Sequence, residues 1–182
     1  MTNQPADVVR PLLQTRQFRE FEPTPVPAHI LEALADVARW TGSSENSQPW
    51  RFILITDPAT LDALHDAGLP QTRGLATATA AIAIVLPDDP ARAVADAYDD
   101  GRVAERILVA ARMLDIGAGI SWIRTNVREA VREILRLPDD RMVRTIVQLG
   151  IPTVAARAPK SGPGEARLPR DETVFRDRWP TR

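Results

Sequence analysis

Apolar positions along the chain repeat in two rhythms, one helical and one suited to strands. Pro27 opens a stretch in which Ile30, Leu31, Leu34, Val37 and Ala38 recur at helical spacing. RFILIT (51–56) is a continuous apolar run of the kind buried in a sheet. Asp57-Pro58 then caps and starts a helix predicted to reach about Ala67. AAIAIVL (80–86) reads as a second buried strand, ended by PDDP. Residues 91–114 carry the strongest helical pattern, with Val103, Ile107, Leu108, Ala111 and Leu114 on one face. Gly101 is read as the start of its buried half and Gly117 as its C-terminal cap. The adjacent pair Asp99-Asp100 is read as a solvated face, because neighbours on a helix point in different directions. GISWI (119–123) and VRTIVQLG (143–150) read as strands around a helix at 126–136 that stops before Leu137-Pro138. At the N-terminus, residues 6–14 are predicted as a short helix, which accommodates Pro11 only if it falls within or near the first turn. Helices alternating with a few strands predict a three-layer α/β or α+β domain.

Composition narrows the chemistry. The 182 residues suit one domain, and 44% hydrophobic residues suffice for a sizeable core. A net charge of −1 offers no attraction to nucleic acid or an acidic membrane. The basic residues are 22 arginines and one lysine, Lys160, so any anion site is built from guanidinium groups. No cysteine is present, which excludes thiolate chemistry and disulfides. His29 and His65 sit on predicted helices without metal-ligand spacing, so no metal is expected. No apolar run approaches about 18 residues, and MTNQPADVVR lacks the basic start and apolar core of a signal peptide. A cytoplasmic protein is the expectation. The proline-rich tail from Ile151 ends in FRDRWPTR, whose Phe175 and Trp179 call for a surface to cover.

Familiar nucleotide motifs are missing. No G-x-G-x-x-G follows a strand, and neither a P-loop nor a G-x-S-x-G elbow occurs. Two other stretches stand out. TRQFREF (15–21) places Arg16 and Arg19 three apart, able to converge on one anion if the segment is helical at Arg16 and bends by Arg19. GSSENSQPWRF (42–52) packs more hydrogen-bonding side chains before a strand than a turn requires.

Taken with ARLPRDETV near the C-terminus, these stretches resemble the nitroreductase family of FMN-dependent oxidoreductases. The matching positions are Arg16 and Arg19; Ser43, Ser44, Asn46, Gln48, Pro49, Trp50 and Phe52; residues 106–123; and Arg167, Pro169 and Glu172. The order is that of the family and spans nearly the whole chain. The resemblance implies a three-layer sandwich with a central, mainly antiparallel sheet flanked by helices, in an intertwined homodimer whose tail from about residue 151 packs on the partner. It implies bound FMN, with NAD(P)H as transient hydride donor and a nitroaromatic, quinone or enone as small-molecule acceptor, in ping-pong order through flavin N5. No protein side chain need be catalytic, because the cofactor supplies the chemistry. Arg16 and Arg167 would hold the phosphate, with Gln17 beside them. Arg19 would stand near the ring edge where reduction places negative charge. Ser43, Ser44, Asn46 and Gln48 would line the flavin, often across the dimer interface. Trp122 and the backbone at Arg124 and Thr125 would approach N5.

The chain also departs from the family pattern. Thr15 stands where relatives often carry an arginine, Gln17 replaces serine, and Glu45 brings a carboxylate that Arg51 is placed to pair. Arg73 would supply a further basic contact. Only PDDPARAVAD separates the second strand from the long helix, which implies an open substrate side. Two alternatives stay open at this level: a flavin-dependent dehydrogenating oxidase of peptides or cyclic dipeptides, and a flavin-binding dimeric scaffold without turnover.

Overall fold

The computed structural model describes residues 4–159, 161–162 and 167–179; Lys160 lies outside them. Its elements in chain order are α1 (Pro5–Val8), α2 (Arg10–Gln14), α3 (Ala28–Arg39), β1 (Arg51–Ile55), α4 (Pro58–Gly68), β2 (Ala80–Pro87), α5 (Ala93–Met113), β3 (Gly117–Trp122), α6 (Arg128–Leu135), β4 (Arg141–Gly150), α7 (Val154–Arg157) and α8 (Arg170–Thr173). The four strands form one antiparallel sheet in the order β1-β2-β4-β3.

Side chains alternate across β2 and so fill two cores. Ala80, Ile82, Ile84 and Leu86 pack with Leu31, Leu34 and Ala38 of α3 and Val103, Ile107 and Ala111 of α5. Ala81, Ala83 and Val85 face Leu61 and Leu64 of α4 and Val131 of α6. Both faces of β2 are therefore dry, which explains its unbroken apolar run. The result is the expected mixed α/β sandwich with a central antiparallel sheet. Asp57 caps α4 as its sequence indicates, accepting from Thr60 N at 3.0 Å.

Several local expectations are corrected. The N-terminal helix breaks at Val9 into α1 and α2, and Pro11 falls in the first turn of α2. α5 ends at Met113 and is capped by Leu114, and Asp115, not Gly117, makes the left-handed turn after it (φ 57°). Gly117 instead opens β3, where a Cβ would sit 2.4 Å from the Pro152 ring. Gly101 lies on the outward face of α5 with nothing within 4 Å of a Cβ. Asp99 and Asp100 are buried rather than solvated. With Asp96 they share the helix stripe of Val103 and Ile107, which faces the sheet.

Residues 15–21 are extended, not helical. They run beside β3, with Phe18 N donating to Ala118 O at 2.8 Å and Gln17 Oε1 accepting from Ile120 N at 3.2 Å. The segment thus covers an outer edge that would otherwise expose unpaired backbone. It continues into a bridge between Phe21 and Pro152.

Candidate functional site

Because residues 15–21 are extended, alternate side chains point to opposite sides. Arg19 joins Pro70, Gln71, Arg73, Ile120 and Trp122 around a cavity of about 300 Å³. Arg16 lines a different cavity of about 270 Å³ with Arg112, Asp115 and Arg157. Its guanidinium donates to the carbonyls of Ala156 and Ala158, each at 3.1 Å, and to that of Arg157. Arg16 and Arg19 therefore do not converge on one anion.

Gln17 serves the Arg19 side. Its Oε1 accepts both from Ile120 N and from Arg19 Nη2, each at 3.2 Å, and so links the guanidinium to β3. Arg73 reaches the same cavity from a 3-10 turn at Arg73–Ala76, placing two cations on one recess. Trp122, at the end of β3, is 54% exposed and forms an open wall rather than a core aromatic. Gln71 Oε1 is buried with no hydrogen-bond partner among the described residues. Arg124 and Thr125 follow immediately, at the start of a 3-10 turn over Thr125–Val127.

Ser43, Ser44, Asn46 and Gln48 lie elsewhere. Glu45, Asn46 and Gln48 all have positive φ (53°, 54° and 46°), a region costly to side chains other than glycine. α5 and the residue that caps its start hold this loop from both ends. Asp99 Oδ2 accepts from Ser44 N at 3.2 Å, and Asp99 Oδ1 meets Arg102 Nη1 at 3.3 Å. Arg92 donates to Ser47 Oγ at 3.1 Å while its Nε lies 3.4 Å from Asp96. Within the loop, Ser43 Oγ accepts from Gln48 N at 2.9 Å. Arg51 donates to the carbonyls of Gln48 and Trp50, so the expected pairing with Glu45 is not made.

The two groups stand at opposite edges of the sheet. One cross-strand row runs Phe52–Ile84–Thr145–Trp122, with the polar loop just before Phe52 and the Arg19 cavity at Trp122. Three strand spacings separate the ends of that row, roughly 14 Å. Asp100 accepts from Thr145 Oγ1 at 2.6 Å in the middle of it. Burial raises the Asp100 pKa to about 6, while the Thr145 hydrogen bond and the Arg144 charge pull it down.

Sequence reasoning missed three residues. Asp99 and Asp96 carried a usable signal, the shared helical spacing with Val103 and Ile107. Gln148 carried another, as a lone amide in the apolar stretch IVQL (146–149). It is 1% exposed, donates to Phe18 O at 3.0 Å and accepts from Ser121 Oγ. Arg167 is exposed and lies in the described part of the tail, ahead of α8. Phe175 and Trp179 stack edge-on with centroids 4.8 Å apart, and Trp179 is 78% exposed. Among the described residues no group of three or more His, Asp or Glu could hold a metal, and no helix is long and apolar enough to cross a membrane.

Comparison with known proteins gives a consistent result. Residues 12–76 match the family model described as Nitroreductase family. A protein of Archaeoglobus fulgidus with the provisional name NADH dehydrogenase/NAD(P)H nitroreductase is 32% identical over 145 residues, covering 75% of this chain and 80% of that protein. Among solved structures, the FMN-dependent nitroreductase of Clostridium difficile R20291 superposes with a TM-score of 0.77 at 21% identity, over 92% of this chain and 98% of the other. Nitroreductase A of Vibrio parahaemolyticus gives 0.77 at 20% identity, over 95% and 76%. Those two likenesses establish the shared fold.

Proposed function

The chain belongs to the nitroreductase family, and from that premise we propose that it is an FMN-dependent oxidoreductase working as a homodimer. When bound, FMN would accept a hydride from NAD(P)H and pass reducing equivalents to a small organic acceptor such as a nitroaromatic, quinone or enone. The observation that carries this reading is the recess formed by Arg19, Gln71, Arg73, Ile120 and Trp122, with Gln17 holding the Arg19 guanidinium. Arg19 and Arg73 bring two positive charges to it, and a fixed cation favours a ring that gains negative charge. Gln71 Oε1, buried without a partner among the described residues, suits an imide N–H donor such as the one a flavin ring carries. Trp122 offers a flat apolar wall, and the backbone at Arg124 and Thr125, shortly after it in the chain, is assigned to the approach to N5.

Ser43, Ser44, Asn46 and Gln48 form the second wall in this reading. They stand across the sheet from Arg19, so the partner copy supplies them. Exposed apolar side chains on α5, Val94, Tyr98 and Met113, give such a partner a surface, as does Trp40 after α3. The tail of the single domain, from about residue 151, covers the partner in this reading, which accounts for the exposure of Trp179 beside Phe175. Arg16 and Arg167 are assigned to the FMN phosphate, Arg16 from the neighbouring cavity.

An absorption spectrum of the purified protein with FMN, followed anaerobically through addition of NADPH and then NADH, tests the reading. A flavin spectrum that bleaches supports it and names the donor. Failure to bind FMN, or a bound flavin that neither nucleotide reduces, overturns it.

A further inference from the structure

The three segments that form the Arg19 recess converge on one buried side chain. Gln148 lies in β4 behind the recess, and its amide touches each wall one residue away from the group that lines it. Its Nε2 donates to the carbonyl of Phe18, between Gln17 and Arg19. Its Oε1 accepts from Ser121, next to Trp122. Its amide also abuts Gly74, next to Arg73, where a Cβ would stand 2.1 Å from Nε2. Gly119 leaves the remaining space, since a Cβ there would meet Phe18 O at 2.2 Å and Gln148 Nε2 at 2.7 Å.

We propose that Gln148 is a positioning residue that sets the Gln17–Arg19 segment against Arg73 and Trp122. A buried amide is costly unless it is hydrogen-bonded, so the place of Gln148 in the core depends on the contacts it makes. Those contacts also fix its orientation, because the reverse amide would set Oε1 against the Phe18 carbonyl. The Phe18 residue is then held twice, by its N–H on Ala118 O at 2.8 Å and by its carbonyl on Gln148. Its neighbours inherit that placement. Gln17 is pinned to Ile120 N and in turn carries the Arg19 guanidinium. Losing the Gln148 bond frees the carbonyl beside Arg19 while leaving every group that lines the recess chemically intact.

The consequence for the cofactor rests on the FMN reading, whereas the placement of residues 17–19 does not. The test therefore compares Gln148→Leu and Gln148→Met with Val147→Ala, which trims the opposite face of the same strand. In the apoprotein, amide exchange over residues 17–20 is expected to quicken in both Gln148 variants and to stay unchanged in Val147→Ala. With FMN, both Gln148 variants are expected to bind roughly tenfold more weakly, the equivalent of one ordinary hydrogen bond. Their bound flavin is also expected to show a more negative midpoint potential as Arg19 moves. Two variants guard against one that fails to fold. Unchanged exchange in the Gln148 variants, or the same response from Val147→Ala, overturns the proposal. Wild-type protein that binds no FMN would overturn the functional reading, and the exchange measurement would still decide the role of Gln148.

Discussion

The Gln17–Arg19 segment and the Ser43–Gln48 loop flank the same sheet, yet they are held in contrasting ways. The first is extended, lies along β3, and is fixed by backbone pairing and a buried amide. The second places three non-glycine residues at positive φ and is fixed by Arg92, just before α5, and by Asp99, which Arg102 of α5 pairs. Arg102 and Arg92 are 54% and 39% exposed, so their pairs are open to salt in a way that the buried amide is not. One wall is part of the sheet; the other is a strained loop clamped from outside. In the proposed dimer such a division is useful, because the cationic wall is preset by the fold while the polar wall is free to settle against a partner.

The largest expected effect concerns Asp100, which joins α5 to Thr145 between the two walls. Its folded pKa of about 6 lies above the ordinary carboxyl value of 3.8, so the folded state binds the extra proton. Stability from this group is greatest below about pH 4 and is lost as pH rises through about 6, by on the order of 3 kcal/mol. Asp100→Asn should match the wild type near pH 4, exceed it at pH 8, and flatten the slope between them in denaturant titrations.

A pair of glycines separates the walls more sharply. Gly119→Ala drives a methyl into the Phe18 carbonyl and should cost about 2 kcal/mol in chemical denaturation. Gly42→Ala meets only the tip of Arg102, at 2.9 Å, and that flexible side chain can move aside. Its melting temperature should hardly change. Equal losses at both positions would break the distinction between a built-in wall and a clamped one.

Asp99→Asn weakens the clamp by removing the charge that holds Ser44 N and Arg102, at a cost of about 1.5 kcal/mol. Limited proteolysis should then open the chain within residues 43–48, with exchange over residues 17–20 unchanged. The smallest expected effect is a gain. Glu45→Gly relieves a positive φ and should add up to about 1 kcal/mol of stability, read as a rise in melting temperature.

Much of the fold was legible because local rules decide it. The apolar runs at 51–56 and 80–86 became β1 and β2, and Asp57-Pro58 started α4 where its chemistry requires. The polar loop was visible for the same reason, as a surplus of hydrogen-bonding residues before a strand. What escaped depends on partners far away in sequence. Residues 15–21 are extended because β3, about a hundred residues later, offers Ala118 O and Ile120 N. Nothing within TRQFREF announces that edge, so a convergence of Arg16 and Arg19 could be imagined where the backbone sends them to different cavities. The buried acids of α5 were misread for a different reason. As adjacent residues Asp99 and Asp100 have the look of a solvated pair, whereas their helical register with Val103 and Ile107 turns both toward the core.

In the proposed dimer each flavin site takes Arg19 from one copy and the Ser43–Gln48 loop from the other. Mixed dimers test this most directly, pairing an Arg19→Ala chain with a chain carrying Ser44→Ala and Asn46→Ala. If the walls come from different copies, one site in each mixed dimer receives all the lesions and the other receives none. FMN titration of the isolated mixed dimer should then find one tight site per dimer with wild-type affinity. Two equally weakened sites, or none of wild-type affinity, would mean that both walls belong to the same chain and would contradict the account.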